Sequence, residues 1–213
     1  MTMTRSFLGS FAVLTLACVA LVPVGARAQT RPPTIVPADL PPQDREMLAL
    51  AHDFSRRCAD ALEKWIAGKE VTEEKLFSFL YYPMPKTDPP KYTTDWDRLS
   101  DRDILPIEES ILAKSPTIIF TVMVDKFGYL PTHNQRYSLP LTGNAAADLV
   151  NNRTKRIFND RTGLAAARSQ APFLVQRYQR DTGETLVDLS VPLFVRGVHW
   201  GAVRIGYRPI DAR

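Results

Sequence analysis

Two polar side chains interrupt an apolar run near the end of the chain and are the first candidates for chemistry. They are Asp188 and Ser190, within the stretch Glu184–Val195. Because successive side chains of a strand point to opposite faces, both polar groups share one face and the apolar residues take the other. Arg204, in the next stretch Val198–Tyr207, can pair with Asp188 if it faces the same side. The pattern indicates either a structural salt bridge or a charge that orients a polar ligand in a pocket.

A second concentration of charge lies in residues 151–163, which contain Arg153, Lys155, Arg156 and Arg161. Guanidinium groups bind carboxylates and phosphates well because their planar fork matches the two oxygens. The segment is therefore either a solvated basic surface or a place where one or two of these cations hold an anionic ligand.

Several aromatic side chains can accompany these charges. Tyr129, Tyr178 and Trp200 either line a pocket or fill the core, and His133 is either a ligand contact or a hydrogen-bonded structural residue. Trp200 and Arg204 are four residues apart on one predicted strand, so we expect them to share a face. The candidate ligand-binding residues are Tyr129, His133, Arg153, Arg156, Tyr178, Asp188, Trp200 and Arg204.

The sequence contains few residues that could form a catalytic or metal-binding site. The three histidines are His52, His133 and His199, and no hydrolase, metalloprotease or phosphate-loop motif is present. Once a signal segment is removed, Cys58 is the single cysteine, which excludes an intramolecular disulfide and a cysteine-based metal site. We therefore expect no catalytic residues, no metal and no cofactor.

Residues 1–28 have the pattern of a cleaved signal peptide. Arg5 supplies the positive charge, Phe11–Val22 is apolar, and Ala26–Ala28 (Ala-Arg-Ala) is a cleavage site that leaves Gln29 as the mature N-terminus. An uncleaved membrane anchor is the alternative. No comparable apolar run follows, so we expect a periplasmic, soluble protein.

Removal of that segment changes the charge balance. Arg5 and Arg27 leave with it, and the net charge falls from +4 to +2. Such a weakly basic protein gives no indication of a nucleic-acid partner. Residues 29–42 are rich in proline and are expected to form a loose leader before a single domain at 43–213.

The domain is expected to open with a long helix over Gln43–Lys69. Its apolar residues recur every 3.5 positions, a spacing that suits a helix packed on its own sheet or one that also pairs with a second copy in a homodimer. These seam residues are Met47, Ala51, Phe54, Cys58, Ala61 and Trp65.

Five strands then alternate with turns and an irregular insert, which predicts an α+β fold with a five-stranded antiparallel sheet. The insert contains two predicted helical pieces, Arg153–Phe158 and Leu164–Ser169, and residues 181–183 form a predicted hairpin turn. The predicted strands are Thr117–Val124, Tyr129–His133, Phe173–Arg180, Glu184–Val195 and Val198–Tyr207.

Three segments resemble a known family. They are NRTKRIFNDRTG at 152–163, QRYQRDTGE at 176–184 and DLSVPLFVRGVHWGAVRIGY at 188–207, together with PTHN at 131–134 and PLTG at 140–143. They look like the extracytoplasmic PAS-like, Cache-type sensor regions of bacterial methyl-accepting chemotaxis proteins. The resemblance covers roughly Thr117 to Tyr207.

The resemblance implies a ligand-binding sensor module rather than an enzyme. We expect an anionic small molecule, carboxylates first, to bind between the sheet and residues 151–163. The chain stops at Arg213 without a signalling coil, so a membrane-bound receptor or kinase is the expected partner. No Cys-x-x-Cys-His motif is present, which excludes covalent haem. The alternative is a non-catalytic interaction module with no small-molecule ligand, in which the long helix provides the contact.

Overall fold

The computed structural model describes residues 40–179 and 183–210. The predicted signal peptide, most of the leader and residues 181 and 182 of the hairpin turn lie outside these ranges. The described residues belong to one compact unit. Within the described ranges, no helix is long and apolar enough to cross a membrane.

The helices and strands alternate irregularly in the first half of the unit, and three long strands end it. The helices are α1 (Pro42–Ala67), α2 (Glu73–Leu76), α3 (Asp97–Leu99), α4 (Leu105–Leu112), α5 (Ala145–Asn151) and α6 (Arg161–Arg168), with a π-helical turn at Ser100–Ile104 and a 3-10 turn at Gln135–Tyr137. The strands are β1 (Tyr82–Met84), β2 (Lys91–Thr93), β3 (Ile118–Asp125), β4 (Tyr129–Leu130), β5 (Arg156–Ile157), β6 (Leu174–Gln179), β7 (Thr185–Val195) and β8 (Val198–Tyr207).

The long helix α1 packs on the protein's own sheet. Its seam residues Met47, Ala51, Phe54 and Cys58 are completely buried, and Trp65 is almost so. They face the odd-numbered residues of β7, which form the predicted apolar face of that strand. Packing of the seam on the protein's own sheet is thus confirmed. Of the six seam residues Ala61 alone is partly exposed, and a homodimer through residues 43–69 stays a prediction.

The main sheet contains four antiparallel strands in the order β3-β8-β7-β6. α1 covers one face, and the short helix α6 covers part of the other, over β7 and β8. The α+β class and the long first helix agree with the sequence, whereas the prediction of five strands in one sheet is wrong. The predicted second strand, Tyr129–His133, forms only the short strand β4, which pairs with β5 in a separate two-stranded ladder.

Side chains occupy the edge of β3 where a fifth strand would pair. The amide of Thr121 donates to Oδ1 of Asn134 over 2.8 Å, and the amide of Met123 donates to Oε1 of Glu108 over 3.0 Å. Arg136 donates to the carbonyl of Ile118 over 3.2 Å. An unpaired edge strand exposes donors and acceptors that must be satisfied. Here side chains satisfy them, which explains why the following segment does not join the sheet.

The insert also departs from the prediction. Arg153–Phe158 is not helical, because Lys155 has a φ of +60°, in the left-handed region that a right-handed helix excludes. Its amide donates to the carbonyl of Leu130 over 2.8 Å, and the segment pairs with β4 as the strand β5 instead. The predicted helix at Leu164–Ser169 exists as α6 and begins earlier, because Asp160 caps it by accepting from the Gly163 amide over 3.0 Å.

The buried carboxyl of Glu108 is expected to make the free energy of unfolding depend on pH. Burial raises the pKa of this carboxyl well above its usual range, although the amide hydrogen bond from Met123 acts in the other direction. A group whose pKa is raised on folding contributes stability at low pH that is lost as pH rises above its unfolded pKa of about 4.3. Glu108→Gln keeps the oxygen that accepts from Met123 and removes the titration. We therefore expect thermal melts from pH 4 to 8 to show that the melting temperature of the variant rises relative to that of the wild type as pH increases. Melting temperatures that change in parallel with pH would contradict this.

Candidate functional site

A cavity of about 440 Å³ opens between the α6-covered face of the sheet and the insert at residues 151–163. Five of the eight predicted site residues line it, which brings together side chains that are up to 71 positions apart in sequence. These five are His133, Arg153, Arg156, Tyr178 and Arg204.

Arg204 reaches this cavity from the central strand β8. Its side chain is only 8% exposed, and it pairs with the fully buried Asp188 of β7, as the sequence predicted. Nε of Arg204 donates to Oδ2 of Asp188 over 3.0 Å, and Nη2 donates to the same oxygen. Burial lowers the pKa of Arg204, but the carboxylate of Asp188 outweighs this effect and raises the pKa above its ordinary value. The guanidinium is therefore a fixed positive charge.

The ion pair leaves donors unused. In the described parts of the chain, Arg204 makes no hydrogen bond from Nη1, and its guanidinium lies 5.9 Å from the centre of the Phe120 ring. A guanidinium offers five N–H donors, of which Asp188 takes two. Since Arg204 lines the cavity, its remaining N–H groups can serve an anion there.

Two further polar atoms lie behind this arginine. Oδ1 of Asp188 and Oγ of Ser190 are buried and have no hydrogen-bond partner among the described residues. Ser190 stands directly opposite Arg204 in the β7–β8 ladder. Both residues lie on the sheet face that α6 covers, so the prediction that Asp188 and Ser190 share a face is confirmed. Arg204 lies on that face too, which was the condition for its pairing with Asp188.

Arg153 and Arg156 form the insert side of the cavity. Their guanidinium carbons lie 5.1 Å and 4.9 Å from the centre of the Phe158 ring. Nη1 of each also donates to the carbonyl of Leu149, at the end of α5, over 3.3 Å. This shared ring and shared carbonyl hold two cations close together, where they favour an anion in the cavity.

Aromatic side chains complete the walls. The His133 ring lies 4.9 Å from the Tyr137 ring and 6.3 Å from the Phe120 ring, centre to centre. Tyr178 enters from the edge strand β6. An apolar or aromatic part of a ligand would contact these rings while its charged end faces the arginines.

The beginning of α6 contributes residues that sequence reasoning missed. Asp160 and Thr162 line the cavity, and Asp160 caps the helix. The Asp-Arg-Thr-Gly sequence that starts at Asp160 was a usable signal, because aspartate is a preferred N-cap residue. Gly163 is needed here, since a Cβ at this position would lie 2.4 Å from the Phe158 carbonyl oxygen. The close approach holds α6 against the insert.

Trp200 does not belong to the cavity, which corrects its predicted placement. A β-bulge interrupts the β7–β8 ladder, so that Leu193 pairs with Gly201 and Phe194 with His199. The extra residue shifts the alternation by one, and Trp200 points toward α1 rather than toward the face of Arg204. Its Nε1 donates to the carbonyl of Leu76 over 3.1 Å in the core.

Tyr129 is also a core residue rather than a cavity residue. It is completely buried, its Oη donates to the carboxylate of Asp97 over 2.9 Å, and its ring contacts Trp96. Lys155 of the predicted basic group likewise does not line the cavity. Its Nζ lies 2.9 Å from Oδ2 of Asp101. Among the described residues, the cations that line the cavity are therefore all arginines.

Comparisons with known proteins identify no family. No family model matches the chain, and no curated protein matches it. A solved structure of an extracellular ligand binding receptor from Desulfohalobium retbaense DSM5692 matches with a TM-score of 0.37 and 12% identity, over 76% of this chain and 25% of that chain. The chain thus spans about a quarter of that receptor. At this level of similarity the match carries no conclusion about fold or function.

Proposed function

We propose that this protein is an exported, non-catalytic sensor module of the PAS-like, Cache type that binds a small anion, carboxylates first, in the cavity between the sheet and the insert. The observation that carries the proposal is Arg204. It is a buried, permanently charged arginine that lines the cavity and uses only part of its hydrogen-bonding capacity on Asp188. A buried cation with donors to spare favours an anionic partner.

The surroundings support the same ligand class. Arg153 and Arg156 add two positive charges at the opposite wall, while Asp160 is the acidic side chain of the lining. A volume of about 440 Å³ lies within the range of small-molecule sites. The aromatic walls leave room for an apolar part of the ligand beside its carboxylate.

The alternative, an interaction module without a ligand, has less support. It required a filled, apolar pocket and a long helix that makes the contact. The cavity is instead open and lined by polar groups, and the apolar face of α1 is buried in the protein's own core. A membrane-bound receptor or kinase remains the proposed recipient of the signal.

The proposal predicts a selective loss of affinity in Arg156→Ala. Thermal-shift screening of the chain from Gln29 onward against organic acids and amino acids would first identify a ligand, and calorimetry would then measure its affinity. A lost charge-assisted hydrogen bond costs about 1.5–3 kcal/mol, so we expect binding to weaken by about ten-fold or more.

Arg161→Ala is the matched control, because Arg161 belongs to the same insert, is exposed and does not line the cavity. It should bind the ligand like the wild type. Equal affinity in all three proteins would show that the arginines of the insert form only a basic surface.

A further inference from the structure

Apolar and cationic side chains lie together at the end of the sheet where β3 turns into β4. Phe127, in that turn, is 41% exposed, and Phe79, between α2 and β1, is half-buried. The ring centres of Phe79 and Phe127 are 5.1 Å apart, and Nζ of Lys126 lies 4.4 Å from the centre of the Phe79 ring. Arg168 ends α6 and donates to the carbonyl of Lys126 over 3.4 Å. We call Phe79, Lys126, Phe127 and Arg168 the turn patch.

The charge of the turn patch is not neutralised by the described residues around it. Neither Lys126 nor Arg168 forms an ion pair with a carboxylate in the parts of the chain that the structure describes. The adjacent carboxylate of Asp125 is completely buried and accepts hydrogen bonds from Tyr81, Phe127 and Tyr129. It therefore points into the protein, and Lys126 lies beside the exposed ring of Phe127 and the half-buried ring of Phe79.

This combination is that of a surface which meets lipid. Apolar side chains enter the boundary between headgroups and acyl chains, while neighbouring lysines and arginines are attracted to anionic headgroups. The turn patch is formed by two connections and a helix end, and none of its residues lines the cavity described above. We propose that the turn patch docks the protein onto an anionic phospholipid surface.

The test is binding to vesicles in the absence of any cavity ligand, so its outcome is independent of the proposed function. The chain from Gln29 onward would be co-sedimented with vesicles of phosphatidylglycerol and, separately, of phosphatidylcholine. We expect binding to the anionic vesicles that weakens with salt. Lys126→Ala should reduce it about five-fold, since one basic residue near such a surface is worth about 1 kcal/mol. Phe127→Ser should reduce it as well.

Two substitutions elsewhere serve as matched controls. Lys114→Ala removes the same charge near the opposite end of β3, and Leu141→Ser removes an apolar side chain that is 40% exposed, against 41% for Phe127. Both should bind vesicles like the wild type. The proposal is overturned if the protein ignores anionic vesicles, if it binds phosphatidylcholine equally well, or if the controls lose as much binding as the patch variants. Docking of an acidic protein at the turn patch without any vesicle binding would overturn it too.

Discussion

Arg204→Ala is expected to lower the free energy of unfolding by about 3–5 kcal/mol and to abolish binding of a carboxylate in the cavity. Removing one partner of a buried ion pair leaves the other charge in an apolar surrounding without compensation. Here the charge left without its partner is that of Asp188. This carboxylate is completely buried and accepts no other hydrogen bond from the described residues. Urea unfolding, followed by circular dichroism, measures the loss of stability.

A double substitution separates the loss of stability from the loss of the ligand contact. Asp188→Leu combined with Arg204→Met replaces the pair by apolar side chains of similar volume, a change that is often neutral or stabilising. We expect this protein to melt near the wild-type temperature and still not bind the anion. If the folded double variant binds the ligand with wild-type affinity, Arg204 is only a structural residue and the site assignment is wrong.

The second large effect is expected for Phe54→Lys in α1. Truncation of a buried phenylalanine costs about 3–5 kcal/mol, and a lysine adds an uncompensated charge to the core, so the variant should be unfolded or barely folded. This differs from the result expected of a helix that pairs with a second copy, where the same change would leave a folded monomer. Light scattering combined with circular dichroism distinguishes the two.

Ala49→Lys provides the comparison, because Ala49 is an exposed position of the same helix. An exposed substitution of this kind usually changes stability by no more than about 0.5 kcal/mol. A Phe54→Lys protein that melts like Ala49→Lys would show that the seam does not pack on the sheet as described.

The sequence predicted the central strands well because their residues alternate without interruption. Val187 and Leu189 face α1, while Asp188 and Ser190 lie on the opposite, α6-covered face of the sheet, as period-two geometry requires. The same rule placed Trp200 on the wrong face of the sheet, because one additional residue in a bulge reverses the faces assigned to the residues beyond it. Nothing in the local composition indicates where a bulge falls; it depends on how the hairpin closes.

The insert was harder to predict because tertiary contacts determine it. Arg153–Phe158 has a helical composition, yet Lys155 adopts a left-handed conformation and hydrogen-bonds with neighbouring segments. The concentration of arginines was visible in the sequence, whereas the ring of Phe158, which two of them share, was not. The contribution of α6 to the cavity depends on the close contact at Gly163, which only the folded chain reveals.

The edge of β3 has a consequence for mutational tolerance. A strand edge that pairs through its backbone tolerates almost any side chain. The edge of β3 instead depends on the particular side chains of Glu108, Asn134 and Arg136, which make its hydrogen bonds. A point substitution at Asn134 would therefore leave the buried amide of Thr121 without its acceptor. The expected failure is a loss of about 1–3 kcal/mol in the free energy of unfolding, at a position that does not line the ligand cavity.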